Sequence, residues 1–334
     1  MRPVKWGIIS TALIGTKQVI PAMLKAEGVE VAAIASRDLA RAQAAAKSLG
    51  IPKAHGSYEA LLADPEIEAV YNPLPNHLHV PLTVQALDAG KHVLCEKPIS
   101  IDAKEAEAIV AAEKRSGRIA AEAFMVRYHP QWRRAREIAL GGQLGEVKLI
   151  HVIFSYFNVD PANVRNQADI GGGGLYDIGC YAVTGARFLF DAEPERAAAI
   201  IDRDPKFKTD RLTSGLLAFS GGRQLAFSCG TQLTPRQVVQ VLGTKARLEI
   251  RVPFNAIPDK PMEIIIDDGS DLMGASAKIE RMPISNHYTL QAEAFSRAVR
   301  GVEKLEYGMA SAIGNMRAID ALFKAADSGK WERV

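Results

Sequence analysis

The chain has 334 residues, 48% of them hydrophobic and 24% charged, which is the composition of a globular protein of about two domains and excludes a disordered chain. Its net charge of +3 arises from 41 basic and 38 acidic residues that are well mixed, so no basic patch indicates a nucleic-acid partner. The three cysteines are too far apart for a disulfide framework or a zinc site, so we expect no metal. The sequence shows no signal peptide and no long apolar run, so we expect a cytoplasmic protein that does not associate with membranes.

The first part of the chain alternates predicted strands with predicted helices. Val4–Ser10 and Val29–Ala35 are short apolar runs typical of buried strands, and the stretch 17–26 predicts a helix with Pro21 in its first turn, where a missing N–H is harmless. This alternation is the βαβ pattern of a doubly wound parallel sheet. The further predicted helices span 38–49, 58–63, 78–89, 103–116 and 131–140, and the further predicted strands span 69–72, 92–95 and 118–123.

The pattern changes after Glu146. Val147–Phe157 is a long β-type run with no helix directly after it, and strands that follow one another without crossover helices predict a mostly antiparallel sheet. We therefore predict two domains, 1–122 and 123–334, and the last helices could pack back on the first domain. In the second domain, helices are predicted over 175–190, 288–300 and 310–326, and strands over 212–220, 224–231, 237–242, 247–252 and 262–266.

The predicted second sheet also suggests how the protein assembles. A single helix, over 175–190, interrupts its strands, and one helix cannot cover both faces of a large sheet. An exposed apolar face of that size usually marks an interface. We therefore predict a homodimer or a tetramer built as a dimer of dimers.

The turn after the first predicted strand lies where dinucleotide-binding folds carry the motif G-x-G-x-x-G. Only the third motif position is glycine in this chain, but serine and alanine are the next smallest residues and would still let the helix N–H groups face a phosphate. The alternative is an ordinary strand-to-helix turn of a doubly wound sheet. The residues predicted to bind a dinucleotide here are Ser10, Thr11, Ala12, Leu13 and Ile14, which Gly15 follows.

The end of the second predicted strand bears on which dinucleotide is bound. NAD sites usually place an acidic residue there to bind the ribose 2′-hydroxyl, whereas this chain has Ser36 and Arg37. A hydroxyl and a guanidinium suit a 2′-phosphate, and Arg41, one helical turn further, could add charge. The alternative is that Ser36 or Asp38 caps the next helix and that Arg37 is solvated. We predict NADP as the cofactor in preference to NAD.

Two further segments carry residues suited to acid–base chemistry. Lys97 follows the apolar strand His92–Cys95, and ligands of open α/β sheets bind at that edge; the alternative is a solvated lysine at an ordinary strand end. Asp177 and Tyr181 follow the glycine run 171–174 and share a helix face, so a carboxylate and a phenol could hold a polyol and supply a proton. The glycines would admit a flat ring close to the backbone. The alternative is a flexible helix entry with Asp177 as a first-turn acid.

Together these motifs resemble the Gfo/Idh/MocA oxidoreductase family. The resemblance rests on the degenerate turn, on Asn72–His79 (NPLPNHLH), on Glu96–Pro98 (EKP) and on the pattern Gly-Gly-Gly-x-x-x-Asp-x-Gly-x-Tyr, and it covers essentially the whole chain. It implies a Rossmann domain followed by an α+β domain with a large open sheet, and NAD(P)-dependent redox chemistry, mostly on sugars and polyols. Tyr181 in place of histidine, together with Ser10, is similar to the glucose–fructose oxidoreductase and dihydrodiol dehydrogenase branch.

The resemblance also implies roles for individual residues. Lys97 would be the catalytic lysine, with a cis bond to Pro98, Asp177 a substrate contact and Tyr181 the proton donor. Substrate contacts would further include Arg127, and cofactor contacts Arg165. The remaining implied cofactor contacts, several of them on the nicotinamide side, are Pro73, Leu74, Asn76, His79, Glu96 and Lys97 itself.

The predicted reaction is hydride transfer between nicotinamide C4 and a carbinol or carbonyl carbon of a sugar, of the aldose dehydrogenase or keto-sugar reductase type. Tyr181 would give or take the hydroxyl proton, and Lys97 would bind that oxygen or lower the pKa of the phenol, which at about 10 is poorly matched to neutral pH. The pair requires the two domains to close a cleft. Two other functions stay open: a non-catalytic dinucleotide-binding regulator and an NAD-dependent glycosidase of the same family.

Overall fold

The computed structural model describes residues 2–334, which divide into two compact units. The first unit contains the chain up to Met125 together with His287–Ile313, and the second contains Val126–Asn286 and Gly314–Val334. The first unit therefore ends close to the predicted residue 122 and also takes in a late segment of the chain.

The first unit is built on a parallel sheet flanked by helices. Within residues 2–125 its strands are β1 (Val4–Ile9), β2 (Val29–Ala35), β3 (Lys53–His55), β4 (Ala69–Asn72), β5 (His92–Cys95) and β6 (Ala120–Glu122), and its helices are α1 (Ile20–Met23), α2 (Leu39–Leu49), α3 (Tyr58–Ala63), α4 (His79–Asp88) and α5 (Ala103–Ser116). The strand order is β3-β2-β1-β4-β5-β6, and every neighbouring pair is parallel. The predicted doubly wound parallel sheet is confirmed, and its order reverses between β1 and β4, where such sheets bind ligands.

The first helix differs from the prediction. Residues 13 and 14 are already helical, and a π-helical turn over Gly15–Val19 precedes the short α1, so Pro21 lies near the helix end and not in its first turn. The Ile20 N–H donates to the Gly15 carbonyl to close the π turn. Proline has no N–H to continue the regular α-helical pattern, and a π turn just before it accommodates that loss. β3 was not predicted, because three residues are too few to show periodicity.

The second unit is built on a mostly antiparallel sheet. Its strands are β7 (Val147–Phe157), β8 (Pro194–Arg203), β9 (Asp210–Phe219), β10 (Gln224–Gly230), β11 (Gln232–Gly243), β12 (Arg247–Ile250), β13 (Glu263–Asp267), β14 (Lys278–Arg281) and β15 (Glu332–Arg333), in the order β14-β13-β12-β11-β7-β10-β9-β8-β15. Its helices are α6 (Pro130–Leu140) and α7 (Cys180–Phe190), the latter continuing a π-helical turn over Leu175–Gly179, and the chain closes with α8 (His287–Val299) and α9 (Met309–Ser328). Between residues 126 and 334, β7 and β10 are the one parallel pair of this sheet, so the predicted mostly antiparallel sheet is confirmed.

Three strands of this sheet were not predicted. β8 shows no clean alternation because residues on both of its faces are partly exposed. β14 and β15 are short edge strands that are rich in charged residues, a composition that protects sheet edges but carries little β-signal.

The core of the first unit includes the late helix α8. The indole N–H of Trp6, on β1, donates to the Ser296 hydroxyl at 3.1 Å, and the Trp6 ring lies 5.4 Å from that of Phe295. All three side chains are buried. A buried tryptophan needs a partner for its N–H, and α8 supplies both that acceptor and an aromatic neighbour.

One face of the second sheet stays partly exposed in the second unit. Along β7, Ile150, Val152 and Phe154 are buried, whereas the residues between them are half-buried. Leu216 and Ile200 on the partly exposed face are 42% and 79% exposed. The predicted homodimer would use this face, and assembly stays a prediction. In cross-strand register, the face carries a row that consists of Ala198, Leu216, Ala226, His151, Gln240 and Glu249.

Candidate active site

The turn after β1 has the backbone of a dinucleotide turn without its first glycine. Ser10 adopts a φ of +71°, a left-handed conformation that glycine usually supplies. This conformation costs a non-glycine residue about 1–2 kcal/mol. The Ser10 hydroxyl accepts a hydrogen bond from the Ala12 N–H at 3.2 Å, which offsets part of that strain.

A pocket of about 550 Å³ lies at the carboxyl ends of β1, β2 and β4. Its position at the switch point and its polar, cationic lining fit the phosphates and ribose of a dinucleotide. Of the predicted turn residues, Leu13 is 75% exposed and Ile14 is half-buried, and neither lines this pocket. The predicted cofactor residues that do line it are Ser10, Thr11, Ala12, Ser36, Arg37, Arg41, Pro73 and Leu74, and Asp38, Tyr58 and Pro75 join them.

The residues after β2 combine parts of both interpretations, the phosphate site and the helix cap. Asp38 caps α2, because its Oδ1 accepts hydrogen bonds from the Ala40 N–H at 2.9 Å and the Arg41 N–H at 3.3 Å. The buried Ser36 hydroxyl accepts a hydrogen bond from the Asp38 N–H at 3.2 Å. Arg37 is exposed at the pocket, and burial raises the pKa of the neighbouring Tyr58 while the charge of Arg37 opposes that shift.

Buried polar side chains hold the loop after β4 in place by hydrogen bonds. The buried Asn72 amide donates to the His79 carbonyl at 3.2 Å, and its Oδ1 accepts from the Leu74 N–H at 3.3 Å. The His79 ring nitrogens lie 2.7 Å from the Leu74 and the Pro98 carbonyl oxygens. Burial lowers the pKa of His79 to about 4, while these two contacts oppose that shift. We propose that His79 contributes to cofactor binding indirectly. It holds the loop after β4 in place and does not line the pocket.

The residues after β5 place two opposite charges next to each other in sequence. The Glu96 carboxylate accepts hydrogen bonds from the Tyr71 hydroxyl at 2.7 Å and from the Lys97 N–H at 3.3 Å. Burial, and then the charge of Glu96, raise the pKa of Tyr71, which keeps this phenol protonated as a donor. Lys97 is half-buried, and its bond to Pro98 is cis, as the resemblance implied.

In the second unit, Asp177 is held by two donors on one oxygen. The Tyr156 hydroxyl donates to Asp177 Oδ2 at 2.7 Å, and Arg165 Nε lies 2.8 Å from the same atom. Asp177, the largest influence, raises the pKa of Arg165, and burial followed by Asp177 raises the pKa of Tyr156. Tyr156 therefore stays a neutral donor, and the two donors fix the orientation of the Asp177 carboxylate.

Tyr181 lies in the same cluster. An electrostatic interaction links it with Arg165, so the structure brings Asp177, Tyr181 and Arg165 together, as well as Tyr156. The Tyr181 ring is packed 5.9 Å from Phe154 and 5.2 Å from Phe254, which fixes its orientation. The predicted substrate contact Arg127 is buried in a short 3₁₀ turn, Met125–Tyr128.

The glycine run before this cluster packs closely against another part of the chain, which leaves no room for a Cβ at Gly173. A Cβ on Gly173, which has a φ of +125°, would collide with Asp210 Oδ1. The buried Asp210 carboxylate accepts hydrogen bonds from the Leu175 N–H at 2.6 Å and from the Thr213 hydroxyl at 3.1 Å. This close internal packing is one reason for glycine at this position, and the expectation that the glycines admit a flat ring stays a prediction. Asp210 thereby anchors the segment that carries Asp177 and Tyr181.

Four polar residues of these clusters were not predicted from the sequence: Tyr58, Tyr71, Tyr156 and Asp210. Each belongs to no motif and reaches its partner only through tertiary structure. The alternation along β7 could have placed Tyr156 on the same face as the buried Phe154, but nothing local connects it with Asp177.

The structure contains no evident metal centre within residues 2–334, where no group of three or more His, Cys, Asp or Glu side chains is arranged to hold an ion. In the same described range, none of the helices has both the length and the apolarity needed to cross a membrane.

The chain combines two features that are typical of a Rossmann-type oxidoreductase. One is a pocket at the switch point of a parallel sheet, and the other is a large, mostly antiparallel sheet that carries the cluster of Asp177 and Tyr181. Residues 4–124 match the oxidoreductase family with an NAD-binding Rossmann fold, and residues 132–249 match the GFO/IDH/MocA C-terminal domain. The chain belongs to the GFO/IDH/MocA oxidoreductase family.

Individual relatives match over nearly the whole length. The chain is 48% identical to the uncharacterized oxidoreductase ORF334 of Rhizobium meliloti, over 99% of both chains. It is 39% identical to D-xylose 1-dehydrogenase (NADP(+)) 2 of Haloferax volcanii, over 97% of this chain and 98% of that one. The crystal structure of KijD10, a 3-ketoreductase from Actinomadura kijaniata in complex with NADP and TDP-benzene, is similar with a TM-score of 0.90 and 28% identity, over 97% of this chain and 98% of that one.

Proposed function

We propose that this chain is an NADP-dependent oxidoreductase that transfers a hydride between nicotinamide and a sugar or polyol. The observation that carries the proposal is the Asp177 carboxylate, which Tyr156 and Arg165 hold on one oxygen in the cluster that contains Tyr181. A carboxylate accepts up to about four hydrogen bonds. In this proposal Asp177 accepts a hydrogen bond from a substrate hydroxyl, which a polyol can offer next to the carbon that reacts.

The pocket in the first unit supports NADP over NAD. Its lining includes the cations Arg37 and Arg41, and the acid in it, Asp38, is engaged in capping α2. Guanidinium groups are the preferred protein partners of a phosphate monoester such as the 2′-phosphate of NADP. The names of the xylose dehydrogenase and of the KijD10 complex point to the same cofactor and to sugar-type substrates.

The proposed chemistry divides between hydride and proton. NADP, when bound, supplies the group that accepts or returns the hydride at the carbinol carbon. Tyr181 takes the proton from the substrate hydroxyl as its phenolate during oxidation, and as its phenol it returns the proton to the carbonyl oxygen during reduction. The Lys97 ammonium stabilises negative charge on that oxygen, and Asp177 orients a neighbouring hydroxyl. Overall, an alcohol and the oxidised cofactor give a carbonyl compound, the reduced cofactor and one proton.

A cofactor and substrate panel tests this function. Aldoses, ketoses and dihydrodiols are offered to the purified protein with NADP or NAD, and formation or consumption of the reduced cofactor is followed by its absorbance. Turnover of added NADP with at least one aldose or keto-sugar is expected. Tight binding of the dinucleotide without turnover of any substrate would instead indicate a regulator. Sugar cleavage without net reduction of added cofactor would indicate a glycosidase.

A further inference from the structure

We propose that Tyr71 is a positioning residue, which fixes Lys97 through the Glu96 carboxylate and sets the spacing between Lys97 and the turn after β1. The inference rests on the proposed function, since Lys97 acts in that reaction. It assigns a role to a buried side chain that belongs to none of the sequence motifs, and every contact that carries it lies within the first unit.

Tyr71 lies in the middle of the first sheet, next to the switch point. It is on β4, where its backbone pairs with Ile8 of β1 and with Leu94 of β5. The side chain is fully buried. A Cβ built on Gly15 would lie 3.7 Å from Tyr71 Cε1, which is an ordinary van der Waals distance. The ring therefore packs against the start of the π-helical turn that follows the dinucleotide turn.

The other end of this side chain reaches the segment after β5. The Tyr71 hydroxyl donates to Glu96 Oε1 at 2.7 Å, and Glu96 Oε2 accepts a hydrogen bond from the Lys97 N–H at 3.3 Å. One carboxylate thus bridges a phenol on β4 and the backbone of Lys97. The Glu96 N–H donates to the Asn72 carbonyl at 3.0 Å, so the backbone of the same residue is also held. Rotation of the Glu96 side chain would break both ends of the bridge.

Burial makes Tyr71 a dependable donor for this bridge. Burial, and then the charge of Glu96, raise the pKa of Tyr71, so the phenol keeps its hydrogen at neutral pH. A hydrogen bond from a neutral hydroxyl to a carboxylate is charge-assisted and shorter than a neutral one. In a buried site no water competes for the donor, and the bond is electrostatically stronger than it would be in water. The bridge therefore keeps Glu96 in one orientation.

A fixed Glu96 in turn fixes the backbone from which the Lys97 side chain starts. His79 Nδ1 lies 2.7 Å from the Pro98 carbonyl oxygen, so the segment is held on both sides of the lysine. The lysine stem is flexible, and its ammonium reaches a defined point only from a defined backbone. Because the rigid Tyr71 ring contacts both the turn after β1 and Glu96, it relates the bound cofactor to Lys97. Misplacement of a reacting group by about 1 Å can cost about 10²-fold in rate.

Tyr71→Phe tests this role, because it keeps the ring against Gly15 and removes only the hydroxyl. We expect kcat for the best sugar to fall about tenfold, with the KM of the sugar and the Kd of NADPH within about twofold of wild type. Steady-state kinetics and fluorescence titration on the full chain measure these quantities, and urea unfolding is followed alongside. A purely structural role would lower the free energy of unfolding and leave kcat unchanged.

Tyr307→Phe is the matched control. Its hydroxyl also donates to a carboxylate, Glu306 Oε1 at 2.6 Å, but on the exposed surface of the first unit. The variant should leave kcat, KM and the Kd of NADPH unchanged.

Glu96→Gln interrupts the same bridge at its centre, because an amide offers one acceptor oxygen in place of two. It should lower kcat by about tenfold or more. In this background Tyr71→Phe should cost less than about a further twofold, since it acts through the same carboxylate.

Several results would overturn the positioning role. One is a kcat near the wild-type value in either single variant, and another is a double variant that loses the full product of the two single losses. A third is tenfold weaker NADPH binding in Tyr71→Phe with kcat unchanged, which would assign Tyr71 to the dinucleotide turn alone. A wild-type protein that turns over no sugar contradicts the proposed function itself and this inference with it.

Discussion

Arg165 and Asp177 form an ion pair in which the guanidinium Nε lies 2.8 Å from carboxylate Oδ2. Arg165 is 43% exposed at the side chain, whereas Asp177 is 13% exposed, so the cation reaches from solvent onto a mostly buried acid. The resemblance predicted Arg165 as a cofactor contact. The ion pair favours a different role, in which Arg165 orients the acid that binds the substrate.

Arg165→Gln is expected to impair substrate use and to spare cofactor binding. The variant removes a charge-assisted hydrogen bond to Asp177 Oδ2, and such bonds contribute about 1.5–3 kcal/mol. We expect kcat/KM for the best sugar to fall about 10–100-fold, with the Kd of NADPH within about twofold of wild type. Steady-state kinetics and fluorescence titration measure the two quantities.

Arg281→Gln is the matched control, since it breaks a surface ion pair of 3.0 Å with Glu263 at the edge strand β14 and should change neither quantity. If Arg165→Gln instead weakens NADPH binding tenfold and leaves the KM of the sugar unchanged, the cofactor role implied by the resemblance is the correct one.

Asp210→Asn is expected to change how stability depends on pH. Burial raises the pKa of Asp210 from 3.8 to about 6, although the Leu175 N–H opposes that shift. Because the folded pKa is raised, the folded state binds the proton more tightly than the unfolded state between about pH 4 and 6. The contribution of Asp210 to stability is therefore greatest below about pH 4 and is lost as the pH rises through 6. Asparagine does not titrate, and its amide oxygen can still accept from Leu175.

The measurement is the free energy of unfolding by urea at several pH values. The Asp210→Asn variant should gain stability relative to wild type by up to about 3 kcal/mol between pH 4 and 7, which corresponds to the shift of about two pKa units. Asp267→Asn is a contrasting control, because bonds from Ser276 and Gly269 lower the pKa of Asp267 to about 2, and its contribution is instead lost as the pH falls towards 2. A difference in unfolding free energy between wild type and Asp210→Asn that is constant from pH 4 to 7 would contradict the raised pKa.

Much of the fold was predictable because it depends on local pattern. The predicted β4, β5 and β7 match the observed strands to the residue, since each is an apolar or alternating run between clear turn signals. The π turn before α1 was not predictable, because periodicity cannot distinguish a widened turn from a regular one. β8 was missed because its partners, and not its own sequence, make it a strand.

The site residues were predictable only where a side chain suited to the reaction stands at a recognisable place in a sequence motif. Lys97 at the end of β5, and Asp177 with Tyr181 after the glycines, could be read from the chain. Tyr156 and Asp210 could not, since their partners Asp177 and Leu175 lie 21 and 35 residues away in the chain, on a helical turn that no local signal connects with either strand. Ser10 is the opposite case. The first glycine of the dinucleotide motif is missing from the sequence, but Ser10 adopts the left-handed backbone conformation that this glycine would have.

Leu216→Arg should convert the predicted oligomer into a monomer. Leu216 is 42% exposed on the partly exposed face of the second sheet, in register with Ala198 and Ala226, so a charge there would be desolvated by a second copy. Light scattering at micromolar concentration should give a dimer or tetramer mass for wild type and a monomer mass for the variant. Leu140→Arg, at the exposed end of α6, is the control and should keep the wild-type mass. A monomeric wild type would rule out the assembly.

The central claim is that Lys97 and Tyr181 share one proton-transfer role, and the turnover of Lys97→Met, Tyr181→Phe and the double variant tests it most directly. On the best substrate of the panel, each single variant should lose about 10²–10⁴-fold in kcat, the usual contribution of general acid–base catalysis. The double variant should lose far less than the product of the two losses, because groups that act as a unit are not additive. NADPH should bind Tyr181→Phe as it binds wild type. Turnover near the wild-type rate in either single variant would contradict the account and make Asp177 the next candidate for the acid–base group.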